Sequence, residues 1–223
     1  FLRKAALGAA ALGLAPISGV MAGIQEENPS HEESQQGLVS PAKGKSVMGL
    51  RCEPLKTVRI AVIGLGMRGS DAVRRLLQVE GVEVKAVADV VPQTVKEANK
   101  KITDAGFPAA TGYTGEEDWK RICERDYIDL VYQCTPWLLH TPIAVYAMKH
   151  GKHAAIEVPA AVTLEECWQL VDTAEETQRH CMMLENCCYD FFELNTLNMA
   201  RNGVFGELYH AEGAYIHDLR WLK

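Results

Sequence analysis

From Thr57 onward the chain alternates two patterns. Short β-branched apolar runs, bounded by glycine, proline or acid, are separated by stretches whose apolar positions recur every three to four residues. "TVRIAVIG", "VEVKAVAD", "YIDLVYQC", "KHAAIE" and "CMMLEN" each fit a short strand buried on both faces. Between them the helical spacing predicts helices over Ala72–Gln78, Pro92 to about Thr103, Glu116–Glu124, Leu139–His150 and Leu164–Arg179. Pro92 suits a first helical position, where its missing N–H costs nothing. Strands alternating with helices at this spacing predict βαβ units, hence an α/β fold with a doubly wound parallel sheet covered on both faces.

The pattern changes after Asn186. A helix is predicted through Leu194–Asn202, followed by "GELYHAEGAYIHDLR", a mixed polar and apolar run that reads as a longer strand of a largely antiparallel sheet. One strand cannot satisfy its own backbone groups. A second, α+β domain is therefore expected to begin near Tyr189 and to be cut off at Lys223, so that the chain is a fragment. The expected organisation is an export segment over 1–24, a flexible linker over 25–56, a dinucleotide-binding Rossmann domain over 57–188 and the start of a substrate domain over 189–223.

The first twenty residues, "FLRKAALGAAALGLAPISGV", place Arg3 and Lys4 ahead of small and apolar residues. That order predicts an export signal of the twin-arginine kind, lacking its arginine pair, and a periplasmic or otherwise exported protein. An amphipathic helix is the competing reading. Residues 25–50, rich in Glu, Gln, Ser, Gly and Pro, are expected to be disordered. No other stretch reaches the roughly 18 apolar residues of a membrane span. A formal net charge of −6 speaks against a nucleic-acid surface. Seven cysteines without a CxxC pair argue against a disulfide framework and for buried thiols.

The chemistry starts at "GLGMRG", Gly64 to Gly69, between the first strand and the first helix. It fits G-x-G-x-x-G in the context that gives the motif meaning: Gly64 for the tight turn, Gly66 for approach of a diphosphate, Gly69 for close helix–strand packing. Asp89 follows the second strand, where a carboxylate accepts ribose hydroxyls and repels a 2′-phosphate, which favours NAD over NADP. "CTPWLLHTP" ends another strand on the same edge. There Trp137 either packs on a flat ring or plugs core, and His140 either hydrogen-bonds a ligand or shapes the loop. Asn186 ends a strand at the ligand edge. Tyr189 lies close by in sequence, as either a proton-transfer group or a structural one.

Other clusters carry less. His210 and His217 are seven apart, which places them on opposite faces of the predicted strand. With His180 and Cys181 near only in sequence, no metal site is expected. Adjacent Cys187 and Cys188 do not meet disulfide geometry without strain, and packing and loop shape are expected of them instead.

These motifs, with "CTPxxxHxxxAxxAxxxGKH" and then E-x-P, resemble the Gfo/Idh/MocA family of NAD(P)-dependent sugar oxidoreductases over about Val58–Asp218. That family's Glu-Lys-Pro, whose lysine serves proton and hydride transfer, stands here as Glu157-Val158-Pro159. Valine can exchange no proton. The long stretches "GKHAAIEVPAAVTLEECWQLVDTAEETQRHCMMLENCCY" and "NGVFGELYHAEGAYIHDLR" resemble a narrower group, glycoside hydrolase family 109, whose members include α-N-acetylgalactosaminidases. The resemblance implies hydrolysis by a closed redox cycle on NAD: oxidation at C3 of the sugar, elimination across C2 and C1, addition of water, and reduction. It further implies NAD contacts from Met67, Arg68, Asp89, Trp137, Leu138, Leu139, His140, Glu157, Val158 and Asn186, and a sugar contact from Tyr215. The family's Tyr-Pro-Thr-His segment does not occur in these 223 residues. The chain is thus expected to bind NAD and not to turn over a small glycan substrate alone; homo-oligomer formation stays open. A sugar oxidoreductase of the parent family is the alternative activity, and a non-catalytic nucleotide-binding module a third class.

Overall fold

The computed structural model describes residues 44–214, 216–218 and 220. Six strands form one parallel sheet: β1 (Val58–Ile63), β2 (Val82–Ala88), β3 (Thr111–Tyr113), β4 (Leu130–Gln133), β5 (His153–Ile156) and β6 (Cys181–Met183). Their order is β3-β2-β1-β4-β5-β6. The first strand made is thus central, and the winding reverses between β1 and β4. Helices α1 (Met67–Leu76) and α2 (Pro92–Asp104) belong to one half. Helices α3 (Asp118–Cys123), α4 (His140–Lys149) and α5 (Leu164–Thr177) belong to the other.

Alternation along β1 explains why its run from Ile60 to Ile63 is apolar without a break. Ile60 and Val62 pack with Val73 of α1 and with Val95, Ala98 and Ile102 of α2. Ala61 and Ile63 point the other way, to Ile122, Ile143 and Ala147 of α3 and α4. Burying such side chains stabilises by about 1.5–3 kcal/mol each. A third cluster joins α4 to α5 through Ala144, Met148, Ile156, Leu170 and Ala174. A capping box starts α5: Thr163 Oγ1 accepts the Glu166 amide hydrogen at 3.2 Å, and the Glu166 carboxylate accepts those of Val162 and Thr163.

Several expectations are corrected. The run Glu207–Ala214 forms no strand and is exposed, because no strand lies beside it to pair with among the described residues. The argument that His210 and His217 occupy opposite strand faces lapses with it. The helix expected from Leu194 begins three residues sooner, as α6 (Phe191–Arg201), preceded by a 3-10 turn at Asn186–Tyr189. β6 ends at Met183, so Asn186 opens that turn rather than closing a strand. Residues 44–50, expected to be disordered, lie against α5: Val47 joins the third cluster and Gln178 Nε2 donates to the Lys45 carbonyl at 2.6 Å. Of the seven cysteines only Cys123 is buried; Cys52, Cys167, Cys187 and Cys188 are exposed. The export segment and Tyr215 lie outside the described residues. Among those described, no helix is long and apolar enough to cross a membrane.

Candidate cofactor-binding site

The glycine loop is built as its residue types demand. Gly64 has φ +84°, and a Cβ there would meet the Cys134 carbonyl oxygen at 2.6 Å. A Cβ on Gly69 would overlap the Gly64 carbonyl oxygen, so helix and strand pack at backbone distance. Gly66 caps α1 with no side-chain bond, and its Cβ would meet nothing within 4 Å. The helical ladder begins with Ser70 N–H donating to Gly66 O at 2.9 Å, which leaves the preceding amides unspent. No acid occupies the first turn. The start of α1 therefore fits an anionic group resting on bare backbone.

Asp89 stands at the end of β2. Its Oδ2 accepts the Leu65 amide hydrogen at 2.6 Å and its Oδ1 that of Val91 at 2.9 Å. Beside it a slot of about 100 Å³ is walled by Trp119, Pro136, Leu139 and Ile143. A carboxylate next to an apolar slot suits a ribose carrying a flat base.

On the other side of the loop lies a larger cleft of about 690 Å³, to which Arg68, Trp137, Glu157, Val158 and Asn186 contribute. Thr135 borders both spaces, at the end of β4 where the winding reverses. Its Oγ1 is buried without a hydrogen-bond partner. An unspent hydroxyl at the crossing point of two lobes is what a bound dinucleotide would satisfy.

Glu157 is only 7% exposed. Arg68 Nη2 donates to its two oxygens at 2.9 and 3.2 Å, and the Tyr132 hydroxyl donates at 3.2 Å. The hydrogen bond to Glu157 pushes the Arg68 guanidinium above its ordinary value. Burial, then the Glu157 charge, raises Tyr132 and lifts the Cys134 thiol to about 12. Near neutral pH all three keep their protons, so they bind and orient rather than exchange protons.

The other expected residues fall into groups. Trp137 is 62% exposed in a 3-10 turn on the cleft wall, which removes the core-plug reading. Leu139 walls the smaller slot beside Asp89 instead, while Met67 and Leu138 are exposed and border neither space. His140 is 1% exposed, and its Nδ1 and Nε2 sit 2.6 and 2.8 Å from the carbonyl oxygens of Pro159 and Thr135. Its ring ties two loops together, the loop-shaping alternative, with both nitrogens facing carbonyl oxygens, and it also lines the large cleft. Tyr189 is exposed and does not reach the cleft. Asn186 does, beside Cys187 and Glu185. Neither expected use of Cys187, packing or loop shape alone, describes an exposed thiol on a cleft wall. Thr135, Tyr132 and Trp119 were missed. Thr135 could have been found from its place between a strand end and Pro136, whereas nothing local marks Trp119.

Residues 58–185 match the family model described as the Gfo/Idh/MocA oxidoreductase family, NAD-binding Rossmann fold. The chain belongs to this family. Residues 189–223 match the model of the glycosyl hydrolase 109 C-terminal domain. Among curated relatives, an α-N-acetylgalactosaminidase of Bacteroides fragilis is 63% identical over 174 residues, covering 78% of this chain and 41% of that protein. A glycosyl hydrolase family 109 protein of Porphyromonas gingivalis is 55% identical over 197 residues, 88% of this chain and 40% of that protein. The chain thus spans about two fifths of these relatives' length. Among solved structures, scyllo-inositol dehydrogenase of Lactobacillus casei with NAD(H) and scyllo-inositol superposes with TM-score 0.60 at 19% identity, over 68% of this chain and 43% of that one. Myo-inositol 2-dehydrogenase of Lactobacillus plantarum gives 0.59 at 23%, over 68% and 43%. These last two likenesses bear on the fold alone. A Gfo/Idh/MocA chain with this Rossmann sheet binds NAD, and the bare start of α1, Asp89 and the unspent Thr135 hydroxyl fit that cofactor.

Proposed function

We propose that this chain is the cofactor-binding part of an NAD-dependent glycosidase that removes terminal α-N-acetylgalactosamine. Val158 carries the reading. It lines the large cleft directly after Glu157, where the family's oxidoreductases place a lysine, and it offers no proton to a sugar hydroxyl. The 63% identity to an α-N-acetylgalactosaminidase supports the same conclusion. NAD, when bound, supplies reversible hydride transfer with the sugar and is not consumed.

The chain's own residues bind and orient. Unspent amides at the start of α1 and the Thr135 hydroxyl receive the diphosphate region. Asp89 accepts the adenosine ribose hydroxyls, between Trp119 and Leu139. Trp137, Glu157, Val158 and Asn186 shape the nicotinamide side. Tyr215 contacts the sugar, in a substrate domain that begins near Tyr189. The proton-transfer groups belong to the length of the relatives that this chain does not span, so the 223 residues alone bind NAD without turning over glycoside. Residues 1–24 direct export, and the cofactor travels with the folded protein.

The test uses the full-length protein with NAD and p-nitrophenyl α-N-acetylgalactosaminide. Release of p-nitrophenol with no net NADH is expected. Steady NADH accumulation on free N-acetylgalactosamine, without p-nitrophenol release, would replace the glycosidase by a sugar oxidoreductase.

A further inference from the structure

Arg68 and Glu157 approach the cleft from opposite sides, one from the first turn of α1 and one from the end of β5. They meet in an ion pair of 2.9 Å whose two halves differ in exposure. The carboxylate side chain is 9% exposed and is gripped by Arg68 and by Tyr132. The guanidinium side chain is 47% exposed, and it reaches Glu157 through Nη2 alone. Its Nε and Nη1 carry three further N–H groups. None of these makes a hydrogen bond among the described residues, and the side chain lines the cleft.

We infer that Glu157 is a positioning residue that acts on the dinucleotide through Arg68. It anchors one end of the guanidinium so that the unspent N–H groups meet the diphosphate and nicotinamide ribose beside the start of α1. The inference rests on NAD lying across the two lobes. Two unequal consequences follow from the chemistry. Removing the Glu157 charge leaves Arg68 cationic but loosens a long side chain that must then be ordered by the ligand. Removing Arg68 leaves a buried carboxylate with a tyrosine as its remaining donor, close to ligand phosphates that repel it. The second damage is the larger, and neutralising the carboxylate relieves it.

Titration calorimetry on the full-length protein separates the cases, with NAD as the probe and adenosine, which carries no phosphate, as a control confined to the Asp89 lobe. Glu157→Gln is expected to weaken NAD about three- to tenfold and Arg68→Met about thirtyfold or more. The double variant is expected to bind NAD at least about threefold more tightly than Arg68→Met alone. Adenosine affinity should stay within about twofold throughout. Losses that multiply in the double variant, or adenosine binding that falls with NAD binding, would overturn the inference. Should Arg68→Met fail to fold, Arg68→Lys takes its place. Lysine lacks the planar fork, so Glu157→Gln should restore less affinity there, and unchanged NAD affinity in Arg68→Lys would overturn the inference. Failure of the unaltered protein to bind NAD is a separate result: it removes the cofactor assignment and the inference with it.

Discussion

The carboxylate of Asp89 accepts the amide hydrogen of Leu65 at 2.6 Å, so the residue that closes the second strand also shapes the glycine loop. One side chain thus fixes the turn and faces the ribose lobe. Asp89→Ala removes both functions and is expected to weaken NAD binding by about ten- to a hundredfold, the range for hydrogen bonds to a charged group. Asp89→Asn keeps one acceptor for Leu65 and loses the charge. It should bind NAD with an intermediate loss and narrow the preference for NAD over NADP about tenfold. Paired titrations with the two cofactors read both effects.

Two glycines of one loop should respond oppositely to the same methyl group. In Gly69→Ala the Cβ overlaps the Gly64 carbonyl oxygen, and the helix must move off the strand. A loss of about 2–4 kcal/mol in unfolding free energy is expected, read as the denaturation midpoint. In Gly66→Ala the Cβ meets nothing, and φ is −61°. That variant should keep its stability within about 0.5 kcal/mol and lose NAD affinity at least about tenfold, because the methyl stands where backbone meets diphosphate.

Thiol chemistry should sort the seven cysteines by their surroundings. Burial lifts the thiols of Cys123 and Cys134 to about 12 and that of Cys181 to about 11. These three should resist iodoacetamide in the folded protein at about pH 8, where an ordinary thiol is partly ionised. Cys52, Cys167, Cys187 and Cys188 should react. Cys187 should be slowed by partial desolvation and by the charges of Glu185 and Asp190, which push its thiol upward. Because Cys187 lines the cleft, added NAD should protect it further. Peptide mass spectrometry measures each site.

A fork of hydrogen bonds where the central strands β1 and β4 begin should set part of the acid stability. Arg59 donates from Nε and Nη2 to Asp129 at 2.8 and 2.6 Å, and from its backbone amide at 2.8 Å. The Arg59 side chain thereby holds the Asp129 carboxyl below its usual value. The folded state thus favours the ionised form. This stabilisation is complete above the ordinary carboxylate value, about 3.9, and fades as pH falls through the lower folded value. Asp129→Asn should be less stable at about pH 7, and the gap should narrow as pH falls below the ordinary carboxylate value. Thermal unfolding of both proteins across that range measures it.

Much of this was legible in the chain because burial on two faces leaves strong local marks. The β1 run, the glycine hexapeptide, Asp89 and the proline that opens α2 each announce themselves. β3 did not: three residues, Thr111, Gly112 and Tyr113, carry too little periodicity to signal a strand, and pairing with β2 makes it one. The Glu157–Arg68 bond joins positions 89 residues apart, and no local pattern encodes such a meeting. His140 stayed open between two readings for a related reason. A histidine beside a predicted ligand edge looks available, yet two carbonyls from different loops take both ring nitrogens. The run Glu207–Ala214 has strand-like composition, but a strand exists only beside another, and composition cannot supply one.

The central place of β1 also sets a timetable. It pairs with β2 about twenty residues later, but its other neighbour, β4, begins at Leu130, and the cleft takes its last wall from Asn186 and Cys187. During synthesis the glycine loop must therefore emerge long before Glu157 exists to anchor Arg68. A ribosome-bound chain ending near Gln133 would carry the phosphate-binding turn without its clamp. Completion of the cleft is then a late event of translation, tied to emergence of the fifth and sixth strands rather than of the motif that first reveals it.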